Sequence, residues 1–146
     1  MFKTVVWATD GSESADRALP YAKQLVNGND GKLVVVHSKE LLLGRAGGHP
    51  VQVDEDEVEA KIQRQVDQLR AEGVDASFTL TSGPQSHAAH MIHDAAANAE
   101  ADLIVVGTRG HTAIGGLLVG GVTQRLLHLA SCPVLAVPAA AAQTER

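Results

Sequence analysis

Three short runs constrain the fold of this chain more than anything else in it. KLVVVHS (32–38), DLIVVG (102–107) and PVLAVP (133–138) are apolar almost throughout instead of alternating with polar residues. A strand that is apolar on both sides must be covered on both faces, which is the condition of a parallel sheet sandwiched between helices. Two further β-rich runs, TVVWAT (4–9) and ASFTLT (76–81), bring the expected strands to five.

Helical patterns separate the runs. Ser12 or Ser14 is placed to cap a first helix carrying Ala15, Ala18, Leu19, Ala22 and Leu25 on one side, with Pro20 expected to kink it or shift its start. The acidic cluster Asp54, Glu55, Asp56 and Glu57 suits the positive end of a second helix. Its stripe is Val58, Ile62, Val66 and Leu69, and Gly73 ends it. A third helix is expected to begin near Pro84 and run through Ile92, Ala95, Ala96 and Ala99. A short fourth covers roughly 121–130. Strand–helix alternation of this kind predicts one α/β domain with right-handed crossovers. LLLGRAGGHPVQV (41–53) reads as a mobile surface loop and residues 139–146 as a poorly ordered tail.

Composition narrows the function. Twelve Lys and Arg against 17 Asp and Glu give a net charge of −5, with no basic run, so nucleic-acid binding is not expected. A single cysteine, Cys132, forms no internal disulfide and fits a reducing cytoplasm. No apolar run approaches the roughly 20 residues that span a bilayer, and the N-terminus has no secretory pattern, so a protein of the cytoplasm is expected.

The informative segment is GTRGHTAIGGLLVGGVTQ (107–124), which follows an expected buried strand and opens a short helix. Gly107 and Gly110 are followed, after nine residues, by Gly120, Gly121, Val122 and Thr123. Glycines let backbone amides approach a ligand, and a helix N-terminus offers unpaired N–H groups to a phosphate. Arg109 adds a charged donor and Thr123 a hydroxyl. Neither the P-loop nor the GxGxxG pattern is present, and glycine-rich connections are often merely tight turns. The first strand ends in Thr9-Asp10-Gly11-Ser12, which sets a carboxylate at the carboxyl end of a buried strand. In open α/β sheets ligands bind there, at the point where strand order reverses. Asp10 is suited to a ribose hydroxyl; the alternative, that it caps the first helix, does not exclude that role.

These residues resemble the universal stress protein family, over VVWATDGSESADRAL, KLVVVHS, ADLIVVGTRGHTAIGGLLVGGVTQRLL and CPVLAVP. The family pattern of Gly, two residues, Gly, nine residues, Gly and then Ser or Thr is met at Gly107, Gly110 and Gly120. It is broken at Gly121. The resemblance implies a domain over 1–138 with a five-stranded parallel sheet of order 3-2-1-4-5, helices on both faces, of the adenine nucleotide alpha hydrolase-like kind. It implies ATP or another adenine nucleotide at the switch point, with Asp10 at the ribose, Ser38 by the adenine and Thr9 among the cofactor-binding residues. Gly107, Arg109, Gly110, Gly120, Gly121, Val122 and Thr123 would lie at the phosphates, with Mg²⁺ accompanying a triphosphate. It implies a stress-response role and a homodimer through 133–138, an apolar edge without a charge. Glycine at 121 removes a hydroxyl from the phosphates and keeps the N–H, so weaker binding is expected.

Other readings carry less. A slow ATPase or phosphotransferase lacks a general base and a phosphate-facing lysine, and a dimeric module that binds no nucleotide would make the glycine loop structural. A receiver domain needs an acidic pocket and a late lysine that are missing. His87, His90 and His93 fan around a helix face instead of converging on a metal. Cys132 reads as a buried structural thiol and His128 as a surface residue. Ser12, His37 and Asp10 do not sit in a nucleophile-elbow pattern.

Overall fold

The computed structural model describes residues 2–26, 28–41, 54–84, 87–108 and 121–138. In chain order they form β1 (Thr4–Ala8), α1 (Glu13–Leu25), β2 (Lys32–Leu41), α2 (Glu55–Ala71), β3 (Asp75–Pro84), α3 (Ala88–Asn98), β4 (Leu103–Gly107), α4 (Gly121–Leu129) and β5 (Val134–Val137). The five strands make one sheet in the order β3-β2-β1-β4-β5, every pair parallel. The expected order 3-2-1-4-5 is therefore observed, and strand order reverses between β1 and β4.

Alternation along the strands divides the core into two layers. Val5, Trp7, Leu33, Val35, Leu103 and Val105 point to one face, where Ala18 and Ala22 of α1 and Val58, Ile62, Val66 and Leu69 of α2 cover them. Val6, Ala8, Val34, Val36, Ile104 and Val106 point to the other, under Ala89, Ile92 and Ala96 of α3 and Leu126 of α4. Each fully buried Val, Leu or Ile contributes about 1.5–3 kcal/mol, so the paired faces of β1, β2 and β4 dominate stability. Trp7 fills the centre of the first layer, and its indole N–H donates to the Ala15 carbonyl of α1 at 3.0 Å.

Local chemistry sets the helix ends. Ser12 caps α1 by accepting from the Ala15 N–H. Pro20 lies inside α1 on its exposed side and neither shifts that start nor interrupts the helix. Asp54 caps α2 by accepting from the Asp56 and Glu57 N–H groups. Gly73 follows α2 with φ +92, a left-handed conformation that glycine adopts without steric cost.

Three boundaries differ from those the sequence suggests. β2 and β3 each run ten residues, with register from Lys32↔Asp75 to Leu41↔Pro84. Pro84 is thus the last residue of β3, not the start of α3, which begins at Ala88. Proline is tolerated there because β3 is an edge strand and Pro84 is its terminus. Ser38 consequently lies within β2, not after it. Residues 42–53 and 139–146, expected to be loop and tail, lie outside the described residues.

Candidate functional site

The site expected from the sequence lies where β1 and β4 end side by side. Trp7 pairs with Val105, and two residues beyond these stand Thr9 on one strand and Gly107 on the other. Thr9 is buried, its N–H bonded to the Val36 carbonyl at 2.9 Å. The turn that follows is held by its own side chains: the Thr9 hydroxyl accepts from the Gly11 N–H, and Asp10 Oδ1 accepts from the Ser12 N–H, each at 3.0 Å. Asp10 therefore shapes the loop that leads to the α1 cap. Gly11 has φ +83, and Lys61 Nζ of α2 donates to its carbonyl at 2.7 Å while also bonding Asp16 at 2.7 Å.

Gly107 has a packing reason to be glycine. A Cβ there would lie 2.6 Å from the Ser14 carbonyl oxygen, a backbone atom of α1. Thr123, buried in the first turn of α4, donates its hydroxyl to the Gly107 carbonyl at 2.7 Å. That proton is committed to the backbone, so what this helix start can offer a ligand is backbone N–H groups and not the Thr123 hydroxyl proton. Among the described residues no atom lies within 4 Å of where a Cβ would stand at Gly121, the first residue of α4, and Val122 is exposed. Arg109, Gly110 and Gly120 lie outside the described residues.

On the other flank, Ala8 pairs with Val36, so Ser38 of β2 stands two residues beyond that pair, as Asp10 does beyond Ala8. The Ser38 hydroxyl bonds the Thr81 hydroxyl of β3 at 3.0 Å. The structure thus brings Thr9, Asp10, Ser38, Gly107 and the start of α4 to the carboxyl edge of one parallel sheet. It adds a residue the motif reading missed, His37. This ring is buried between the Thr9 carbonyl, 2.9 Å from Nδ1, and Glu55 Oε1, 2.8 Å from Nε2. A histidine directly after the aliphatic run 33–36 was the available signal.

Other polar features lie elsewhere. A groove of about 360 Å³ between α1 and α2, bounded by Leu19, Lys23, Arg64 and Gln68, is separate from the strand ends. His87 and His90 are exposed, with ring centroids 6.0 Å apart, and His93 bonds Asp94 at 3.2 Å. Among the described residues no group of three or more His, Cys, Asp or Glu is arranged to hold a metal. Cys132 is half-buried, not buried as expected; desolvation, and secondarily the Asp102 carboxylate, pushes its thiol up. Among the described residues no helix is long and apolar enough to cross a membrane.

Comparison with known proteins gives this geometry its context. The profile of the universal stress protein family matches residues 1–138. A universal stress protein of Thermus aquaticus is 38% identical over 145 residues, covering 94% of this chain and 99% of its own length. Among solved structures, a universal stress protein in complex with cAMP superposes with TM-score 0.65 at 27% identity, covering 93% of this chain and 96% of that one. The universal stress protein from Archaeoglobus fulgidus in complex with dAMP superposes with TM-score 0.63 at 27% identity, covering 94% and 98%.

Proposed function

The chain belongs to the universal stress protein family, and on that premise we propose that it binds an adenine nucleotide, ATP foremost, in a regulatory, stress-response role. The observation that carries the reading is the convergence of Asp10, Gly107 and the open start of α4 at the point where strand order reverses. Ligands of open parallel sheets lie at that point, and two related structures of the same fold are complexes with the adenine nucleotides cAMP and dAMP.

The residues fit such a ligand in kind. Asp10 supplies the carboxylate for ribose hydroxyls, with Thr9 fixing its backbone. Ser38 stands at the adenine side. Phosphates would meet the N–H groups of Gly107, Gly121, Val122 and Thr123, together with Arg109, Gly110 and Gly120. Among the described residues nothing stands within 4 Å of a Cβ built at Gly121, which suits the approach of a phosphate there. Backbone donors of this sort need no net positive charge, consistent with a chain of net charge −5. Mg²⁺ would come with the triphosphate and be held chiefly by its oxygens. Among the described residues no general base stands beside the start of α4, so we propose binding and not turnover. We place the protein in the cytoplasm and pair two copies through the uncharged strand β5.

Mass spectrometry of the purified protein after gentle denaturation tests the proposal. A co-purified adenine nucleotide in near-stoichiometric amount is the expected result. No co-purified nucleotide, together with no binding of ATP and Mg²⁺ up to millimolar concentration, would instead make the glycine loop structural and leave a dimeric interaction module. Light scattering after gel filtration should give a dimer mass; a monomer would reject the β5 pairing.

A further inference from the structure

His37 makes two contacts that a neutral ring cannot satisfy together. Its side chain is almost fully buried, and each nitrogen faces an acceptor: Nδ1 the Thr9 carbonyl at 2.9 Å, and Nε2 the Glu55 carboxylate at 2.8 Å. A neutral imidazole carries one N–H, so one contact would set a lone pair against an oxygen. The pair must therefore hold an additional proton. Glu55 is the first residue of α2 and about 31% exposed, where the helix dipole and water favour the carboxylate over the acid. The proton consequently belongs on the ring, as an imidazolium donating to both oxygens.

The Thr9 carbonyl and the Asp10 N–H belong to one peptide plane. Fixing that carbonyl fixes the plane from which Asp10 departs, and the Thr9 N–H is already fixed by Val36. We propose that His37, resting on the nucleotide reading above, is a positioning residue: as an imidazolium it bridges α2 to the Thr9–Asp10 peptide and aligns the Asp10 carboxylate for ribose.

Loss of the proton has a direction. A carboxylate is a stronger acceptor than a carbonyl, so the neutral ring keeps its hydrogen on Nε2 toward Glu55 and releases Thr9. Nucleotide binding should therefore weaken as pH rises. Ion pairs on the surrounding elements join Lys39 of β2 to Glu59 of α2 and Lys61 of α2 to Asp16 of α1, and the Asp10 carboxylate accepts from the Ser12 N–H. The two lysines are already paired with carboxylates, which leaves Glu55 as the partner in contact with the ring.

Two measurements test this on the full chain. Histidine ¹⁵N NMR of the ligand-free protein, with the His37 signal identified by its loss in His37→Asn, should show protons on both ring nitrogens near neutral pH. A singly protonated ring would overturn the clamp. ATP titration should show wild-type affinity falling as rising pH takes the second proton from the ring. His37→Phe should bind about tenfold or more weakly, the effect of one lost charge-assisted bond. His37→Asn presents an amide N–H where Nδ1 lies, so it should recover most of that loss with a flattened pH profile. Titration of ATP is common to all variants and cancels in the comparison. Equal pH profiles for wild type and His37→Asn would overturn the positioning role. Wild-type protein that binds no ATP at any pH overturns the proposed function and the positioning role with it, whereas the NMR signal decides the clamp by itself.

Discussion

Replacing Gly107 with alanine should destabilise the protein through contact with backbone, not side chain. The new Cβ would stand 2.6 Å from the Ser14 carbonyl oxygen and 2.8 Å from its carbonyl carbon, where ordinary contact begins at 3.4 Å. The Ser14 hydroxyl, also 2.6 Å away, can rotate aside, but the first turn of α1 cannot. It must retreat by about 0.8 Å, the shortfall in that contact. Ser14 and Ala15 are buried, and Ala15 accepts the Trp7 indole N–H, so retreat loosens the centre of the α1–α2 layer. Overpacking of this kind costs about 1–3 kcal/mol, and the rigid neighbour puts Gly107→Ala in the upper half. For a domain of this size about 2–3 kcal/mol lowers Tm by roughly 4–12 °C. Gly121→Ala is the control: among the described residues its Cβ meets nothing within 4 Å, and removing a helical glycine should leave Tm unchanged or slightly raised. Calorimetry of both variants decides the matter. A Gly107→Ala protein that melts with wild type, or a Gly121→Ala protein that falls as far, would refute the packing argument.

Gly121→Ser adds a hydroxyl at the start of α4, so ATP should bind about ten- to a hundredfold tighter by one charge-assisted hydrogen bond; unchanged or weaker binding would remove phosphate from that position. Cys132, its thiol pushed up by burial and then by Asp102, should react with iodoacetamide more slowly than a short peptide thiol, and Asp102→Asn should speed it; a rate equal to the peptide's would contradict this. The Lys23 side chain, and secondarily Gln68, hold the Glu72 carboxyl below its ordinary value. A depressed folded value gives stability that is present at neutral pH and lost as pH falls through the carboxylate range. Glu72→Gln should accordingly narrow the gap between urea midpoints at neutral and acid pH, and an unaltered gap would contradict the pairing.

Much of this was legible in the sequence because the core is built from a few strongly patterned residues. The aliphatic runs at 32–38 and 102–107 allowed only strands covered on both faces, and the structure buries them so. Asp54 and Ser12 announced their helices by chemistry that acts within three residues. Pro84 misled because its favourable place in a first helical turn says nothing about a partner strand; the ladder with β2 continues to it. Ser38 was set at the end of β2 for the same reason. The strand's length depends on pairing with β3, a contact between distant segments. His37 went unused because its two partners, Thr9 and Glu55, come together only through the register of β1 with β2 and the docking of α2. Thr123 was legible as a hydroxyl at a helix start, but the Gly107 carbonyl that takes its proton was not.

Isothermal titration of ATP with Mg²⁺ into wild type and Asp10→Asn tests the central claim most directly. Asparagine keeps the side-chain oxygen that accepts from the Ser12 N–H, so the turn survives while the charge is lost. The account predicts one saturable site per chain in wild type and at least about tenfold weaker binding in Asp10→Asn at equal Tm. Equal affinity in the two proteins, or no binding in either, would contradict it.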